Sequence, residues 1–212
     1  MPRRLPSDAA PAPGRREQNK IDKRQRIRDA ASELFTRHGY EAATMRQIAQ
    51  KAHVALGTLF SYADDKRDLV FLIFNDELIA LTDRALEAPQ PEAPLVDQLL
   101  AMFSPHYRHF ARNPTLARLA LQQLTFYSTG KQADAFLATR ARLITGIERL
   151  VAEAQRGSTL RRQPGAKLVA RYIFFVYSAA IRWWIAGDHP RASTGIAELR
   201  QLLTLQMEGL GR

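Results

Sequence analysis

From Ile21 onward, apolar residues recur at spacings of three and four, and no run alternates apolar with polar residues long enough for a convincing strand. The pattern predicts an all-α protein of about nine helices. Ile27, Ala30, Ala31, Leu34 and Phe35 form one apolar face of a first helix over about 21–37. His38-Gly39 ends it, with Gly39 suited to a left-handed C-terminal turn. Thr44 can cap a second helix over about 45–52, and Gln47 three residues on completes a capping box. That helix buries Met45, Ile48 and Ala49. A third, very short helix is expected at about 55–62, and a fourth at about 66–86 with Leu69, Leu72, Ile73 and Leu78 inward. Three prolines between Ala88 and Pro94 break the chain. Five more helices fit about 95–112, 114–126, 131–155, 165–186 and 190–208. Asn113-Pro114, Thr129-Gly130, Arg156-Gly157 with Pro164, and Gly187 to Pro190 separate them. No internal repeat of solenoid period is present.

The third helix, within VALGTLFSYADDK (54–66), is too weak to stand alone. Isolated helices shorter than about 12 residues are marginal in water, and Gly57 costs about 1 kcal/mol in helix propensity. Two short helices joined by a tight turn, after a longer one, form a helix-turn-helix. That arrangement supplies the support: Val54, Leu59 and Phe60 can pack on Ile48, Leu34 and Phe35. The opposite side is then free to enter the major groove of DNA, where Gly57 leaves room for close approach. Thr58, Ser61 and Tyr62 offer hydroxyls to phosphates or base edges, and Lys66 can pair with the DNA backbone.

The stretch IRDAASELFTRHGYEAATMRQIAQKAHVALGTLFSYADDKRDLV resembles the N-terminal DNA-binding region of the TetR family of bacterial transcriptional regulators. The resemblance rests on A-x-x-L-F-x-x-H-G-Y at 31–40, T-x-x-x-I-A at 44–49, V-x-x-G-T-L-F at 54–60 and K-x-x-L at 66–69. It implies an N-terminal three-helix DNA-binding domain at 21–66 and a helical ligand-binding and dimerisation domain at 67–212. It also implies that Thr44 caps the second helix and bonds a phosphate, that Leu56, Gly57 and Thr58 begin the recognition helix, and that Lys66 contacts the backbone. Arg46 and Tyr62 fall at the same surface. Three positions depart from the family pattern. Ala55 replaces a frequent serine, Leu56 a frequent lysine or arginine, and Phe60 the usual tyrosine, whose hydroxyl is thereby lost. The expected DNA contacts are therefore Thr44, Arg46, Ala55, Leu56, Gly57, Thr58, Phe60, Ser61, Tyr62 and Lys66.

Composition narrows the rest. The chain has 212 residues, 46% of them hydrophobic, and no cysteine, which excludes disulfides, thiolate metal sites and cysteine nucleophiles. The first twenty residues lack the apolar core of a signal peptide. The most apolar run, Tyr172 to Ile181, is far below the roughly 18 residues of a membrane span. A cytoplasmic location without membrane association is the expectation. The net charge of +10 is uneven: residues 1–28 hold nine basic and three acidic side chains. Residues 1–20, rich in Pro, Ala and Arg, are expected to be a disordered basic arm. Such an arm suits a polyanion, and equally suits a solvated tail that aids solubility.

The helix at about 165–186 is apolar nearly all round, so it must be buried on more than one side. The last helix carries Ile196, Leu199, Leu203 and Met207 on one stripe. With Phe175 these are the candidate residues of a four-helix homodimer interface; the alternative is a last helix that closes its own core. Phe103, His106, Tyr107, Phe110, Phe126, Tyr127, Phe136, Phe174, Tyr177 and Trp184 are candidates to line a pocket for an apolar small molecule, with plain core packing as the alternative. His106 and His109, three apart, could share a metal, but no carboxylate or cysteine is close in sequence. No Gly-rich phosphate loop, H-E-x-x-H or G-x-S-x-G is present. No cofactor, metal or catalytic residue is assigned. The reading is a dimeric regulator, a repressor released from a palindromic DNA operator by a small hydrophobic effector. Its rivals are a non-specific nucleic-acid binder acting through the arm, and a small helical enzyme.

Overall fold

In the computed structural model, residues 14–157, 159–160 and 162–210 are described, and all regular structure among them is helical. The nine α-helices are α1 Arg15–His38, α2 Met45–Lys51, α3 Leu56–Phe60, α4 Lys66–Glu87, α5 Leu95–Phe110, α6 Pro114–Gln123, α7 Ala133–Arg156, α8 Ala166–Ala186 and α9 Ala192–Leu210. A 3-10 turn, Leu124–Phe126, extends α6. The helix number and order are those the periodicity predicts.

One expectation at the N-terminus changes. Residues before Gly14, most of the expected arm, lie outside the described residues. Arg15 to Lys20 are helical rather than irregular. The reason is local: these are good helix formers, Glu17 sits in the first turn, and Gln18 donates to Asp22 one turn on at 2.8 Å.

Ile27, Ala30, Ala31 and Phe35 of α1, Ile48 and Ala49 of α2, and Leu59 of α3 form, with Ala43, Ala52 and Ala63, the N-terminal end of a core that continues through the later helices. Val54 packs on it half-buried. Phe60 does not: it is 42% exposed, because five residues of α3 turn only one strong apolar position, Leu59, inward. Gly39 closes α1 at φ +80°, ψ 160°, a region open essentially to glycine alone. The α2–α3 turn is a Schellman motif, in which Val54 N donates to Ala49 O and His53 N to Gln50 O. His53 takes the left-handed position at φ +54°.

Helix α4 starts one turn beyond α3 and runs into the larger bundle, packing on α1, α5 and α7. There α7 lies on α8 and α5 on α9. Arg24 holds Asp76 of α4 through both oxygens at 2.5 and 3.0 Å, and Arg28 joins at 3.1 Å. Two of the N-terminal cations are thus spent inside the protein.

Candidate functional site

The short helix α3 lies on the surface. Ala55, Gly57, Phe60 and Ser61 are exposed, with Thr44 and Arg46 of α2 exposed beside them. Leu56 and Thr58 are half-buried. A Cβ built at Gly57 meets nothing within 4 Å, so no internal contact requires the glycine. Its role is either indifferent or directed outward. Thr44 makes the full capping box: Gln47 N donates to Thr44 Oγ1 at 3.2 Å and Thr44 N to Gln47 Oε1 at 2.9 Å.

Several of the polar groups expected to face DNA donate to carbonyls of the protein itself. Lys66 Nζ donates to the carbonyls of Tyr40 (2.8 Å) and Glu41 (3.0 Å) and sits 4.7 Å from the Tyr40 ring centre. It staples the turn between α1 and α2 to the start of α4. The Tyr62 hydroxyl donates to Lys20 O at 3.3 Å, and the Ser61 hydroxyl to Thr58 O at 2.6 Å. Arg15, Arg16, Lys20, Lys23 and Arg26 remain exposed on α1 without a carboxylate partner among the described residues.

Between α4, α5, α6, α7 and α8 lies a cavity of about 540 Å³, apolar over most of its wall. Of the ten candidate positions, His106, Phe110, Phe136, Phe174 and Tyr177 line it. The other five do not. Phe126 is 84% exposed, because the 3-10 turn rotates it out of the α6 face. Phe103 lies beneath Tyr177, stacked on its ring at 4.1 Å. Tyr107 and Trp184 pack on each other and around Gly195 of α9, where a Cβ would approach both rings at 2.7 Å. Tyr127 stacks on Phe71 at 3.6 Å in a separate small cluster with Phe136.

The cavity also has an aliphatic wall, with Leu78, Leu121, Leu143 and Ile181, and a charged rim that aromatic spacing does not reveal. Arg140 of α7 is exposed and Arg182 of α8 half-buried, and neither has a carboxylate partner among the described residues. Both interrupt otherwise apolar helix faces, a signal visible in the sequence. His106 is buried, and burial pushes its pKa down to about 4, helped by the charge of His109; the Phe103 carbonyl, as a backbone hydrogen-bond acceptor, opposes the shift, and the charge of Arg84 adds least to it. His109 instead pairs with Glu77 at 3.1 Å, which holds that carboxyl below its usual range.

A second feature joins this region to the reading end. Asp68, buried in the first turn of α4, accepts from Tyr127 Oη, Gln132 N (2.9 Å), Lys131 N (3.0 Å) and Asp64 N (2.9 Å). Gln132 Nε2 in turn donates to Tyr62 O at 3.0 Å, just past α3. Arg67 donates twice to Gln123 O at the end of α6. The loop that carries Tyr127 to Gln132 lies between Leu124 and Phe136, both in the cavity wall.

The dimer candidates also divide. Leu199 and Leu203 are fully buried in their own protomer, where α9 packs on α5, and Ile196 and Met207 are half-buried against the same core. Of the five, only Phe175 is exposed, at 62%. It belongs to an outer stripe of α8, with Leu168, Tyr172 and Trp183, and Leu205 of α9 is exposed as well. By length and composition alone α8 could cross a bilayer; here its other side is packed inside the bundle.

The family model for bacterial regulatory proteins, tetR family, matches residues 27–73, from mid-α1 into α4. The chain belongs to the TetR family. This TetR-family protein is a DNA-binding transcriptional regulator, and α2 and α3 are its helix-turn-helix. It is 24% identical over 172 residues to the fatty acid metabolism regulator protein of Bacillus subtilis, covering 80% of this chain and 87% of that one. It is 32% identical over 133 residues to the transcriptional repressor KstR of Mycobacterium tuberculosis, spanning 61% of this chain and 55% of the relative. Its fold matches Bacillus subtilis FadR in complex with stearoyl-CoA at TM-score 0.68, with 21% identity over 88% of this chain and 98% of that one. It also matches Thermus thermophilus FadR in complex with lauroyl-CoA at TM-score 0.63, with 22% identity over 85% and 93%.

Proposed function

We propose that this protein is a homodimeric repressor that binds a palindromic operator through α3 of each copy. On this reading it is released by an anionic amphiphile of the fatty acyl-CoA class. Residues 21–66 read DNA, residues 67–212 sense the effector and pair with the second copy, and the protein acts in the cytoplasm without a catalytic step. The observation that carries the effector class is the cavity: an apolar interior with Arg140 and Arg182 uncompensated at its rim. A hydrocarbon chain fills the interior, and the two guanidinium groups meet a carboxylate or phosphate head. The acyl-CoA complexes of the two FadR proteins, and the name of the Bacillus subtilis relative, point the same way.

For the second copy, the outer stripe of α8 is the proposed face. Leu168, Tyr172, Phe175 and Trp183 form an exposed apolar surface of the kind that marks interfaces. Pairing through it gives twofold symmetry and two recognition helices for half-sites about 34–36 Å apart. Exposed cations of α1 add salt-dependent affinity for phosphates. A ligand shifts the equilibrium only through its differential affinity for the two states, and coupling of about 1–3 kcal/mol suffices.

Footprinting on DNA flanking its own gene, with lauroyl-CoA and stearoyl-CoA added in turn, tests the reading. A discrete protected site lost at micromolar acyl-CoA supports it. Arg140→Glu with Arg182→Glu should leave protection intact and remove the acyl-CoA response. Uniform, salt-limited coating of any DNA would instead favour the non-specific binder.

A further inference from the structure

His106 is out of place in an apolar cavity wall. It comes from α5 into the cavity, is 3% exposed, and meets the Tyr177 ring edge-on at 5.8 Å. Its Nδ1 is enclosed without a well-formed hydrogen bond, and the Phe103 carbonyl, one turn back on α5, is the backbone group that acts on the ring. Buried polar side chains are nearly always paired, and leaving one unpaired destabilises the empty protein. Burial keeps this ring neutral, so it offers one donor and one acceptor rather than a charge.

We infer that the effector carries an oxygen function, a hydroxyl or ketone, part-way along its hydrocarbon chain, and that His106 binds it. The inference rests on the acyl-effector reading above and goes beyond it, since stearoyl and lauroyl chains have no such group. The placement follows from exposure: Arg140 stands at the open rim and His106 at an enclosed part of the wall. A head group held at the rim leaves the ring facing the chain. A neutral imidazole suits either oxygen function, donating to a ketone or accepting from a hydroxyl.

The test compares lauroyl-CoA with twelve-carbon acyl-CoAs bearing a hydroxyl or keto group at successive carbons. Binding is measured by titration calorimetry and by release of the operator. One position along the chain should bind about five- to tenfold tighter than lauroyl-CoA, the worth of one buried neutral hydrogen bond. His106→Phe should flatten that profile and bind lauroyl-CoA at least as well as the wild type. His106→Gln, which keeps a donor and an acceptor, should retain a preference. A flat profile in the wild-type protein overturns the inference while leaving the acyl reading standing; the ring would then be holding only water. A preference that survives His106→Phe also overturns it. If no member binds, lauroyl-CoA included, the acyl reading fails and takes this inference with it.

Discussion

Replacing Gly130 by alanine should loosen the junction between the DNA-reading end and the sensing bundle. Gly130 has φ +122°, and an added Cβ would lie 2.7 Å from Asp68 Oδ1, 3.0 Å from its Cγ and 3.2 Å from Tyr127 Oη. The carboxylate cannot swing aside freely, because four donors hold it. Displacing it enough to weaken two of these charge-assisted bonds costs about 1.5–3 kcal/mol each. The positive φ adds about 1–2 kcal/mol for any side chain. The total is at least about 4 kcal/mol, a large share of the roughly 5–15 kcal/mol that holds a domain folded. At about 2–4 °C per kcal/mol for a chain of this size, the melting midpoint should fall by about 10 °C. Gly157→Ala is the control, since its Cβ would meet only two carbonyls at 3.5 and 3.9 Å. Thermal and urea denaturation of both variants measure the difference. Asp68→Ala combined with Gly130→Ala should lose clearly less than the sum of the two single changes, because the smaller side chain removes the clash. A Gly130→Ala protein melting within about 2 °C of wild type, or strict additivity in the double variant, would refute the reasoning.

Other outcomes follow from the same geometry. Lys66→Met should lower stability by about 2 kcal/mol in urea, having removed two bonds from a charged donor. It should leave the slope of operator affinity against log salt unchanged; a slope reduced by about 0.9 would assign Lys66 to a phosphate instead. His106 remains neutral in the folded protein down to about pH 4, whereas in the unfolded chain it takes up a proton below about pH 6.5. Its contribution to stability is therefore complete above pH 6.5 and falls by about 3 kcal/mol as the pH drops to 4, a loss that His106→Gln should abolish in pH-dependent melting. His53→Val puts a β-branched residue at φ +54° and should cost about 1–2 kcal/mol, while His53→Asn should be close to neutral. Phe175→Glu should give a folded monomer in sedimentation experiments; a dimer that persists would move the pairing face away from α8.

Local signals decided what was legible in the sequence. Thr44 with Gln47, His38-Gly39 and the proline breaks each act within four residues, so the helices and the helix-turn-helix could be read directly. Phe126 could not be placed, because whether α6 ends in a 3-10 turn depends on what Arg67 and the following loop hold. Leu199 and Leu203 share one stripe with Ile196 and Met207. Spacing identifies a stripe but not which neighbour covers it, and α5 of the same protomer does. The Asp68 cluster joins residues some sixty positions apart, beyond the reach of any local pattern. A charge count along the chain likewise does not reveal that Arg24 and Arg28 are committed to Asp76, some fifty positions away.

With the Lys66, Tyr62 and Ser61 donors each bonded to a carbonyl of the protein itself, the outer surface of α3, made of Ala55, Gly57, Phe60, Ser61 and half-buried Thr58, has few free hydrogen-bonding tips. On the proposed docking, so few hydrogen-bonding tips can spell out only one or two letters of a half-site. Discrimination would then fall to thymine methyl groups, to how readily the duplex bends, and to the fixed distance between the two copies. Operators for this protein should accordingly tolerate many single-base changes yet be intolerant of one inserted base pair between their halves.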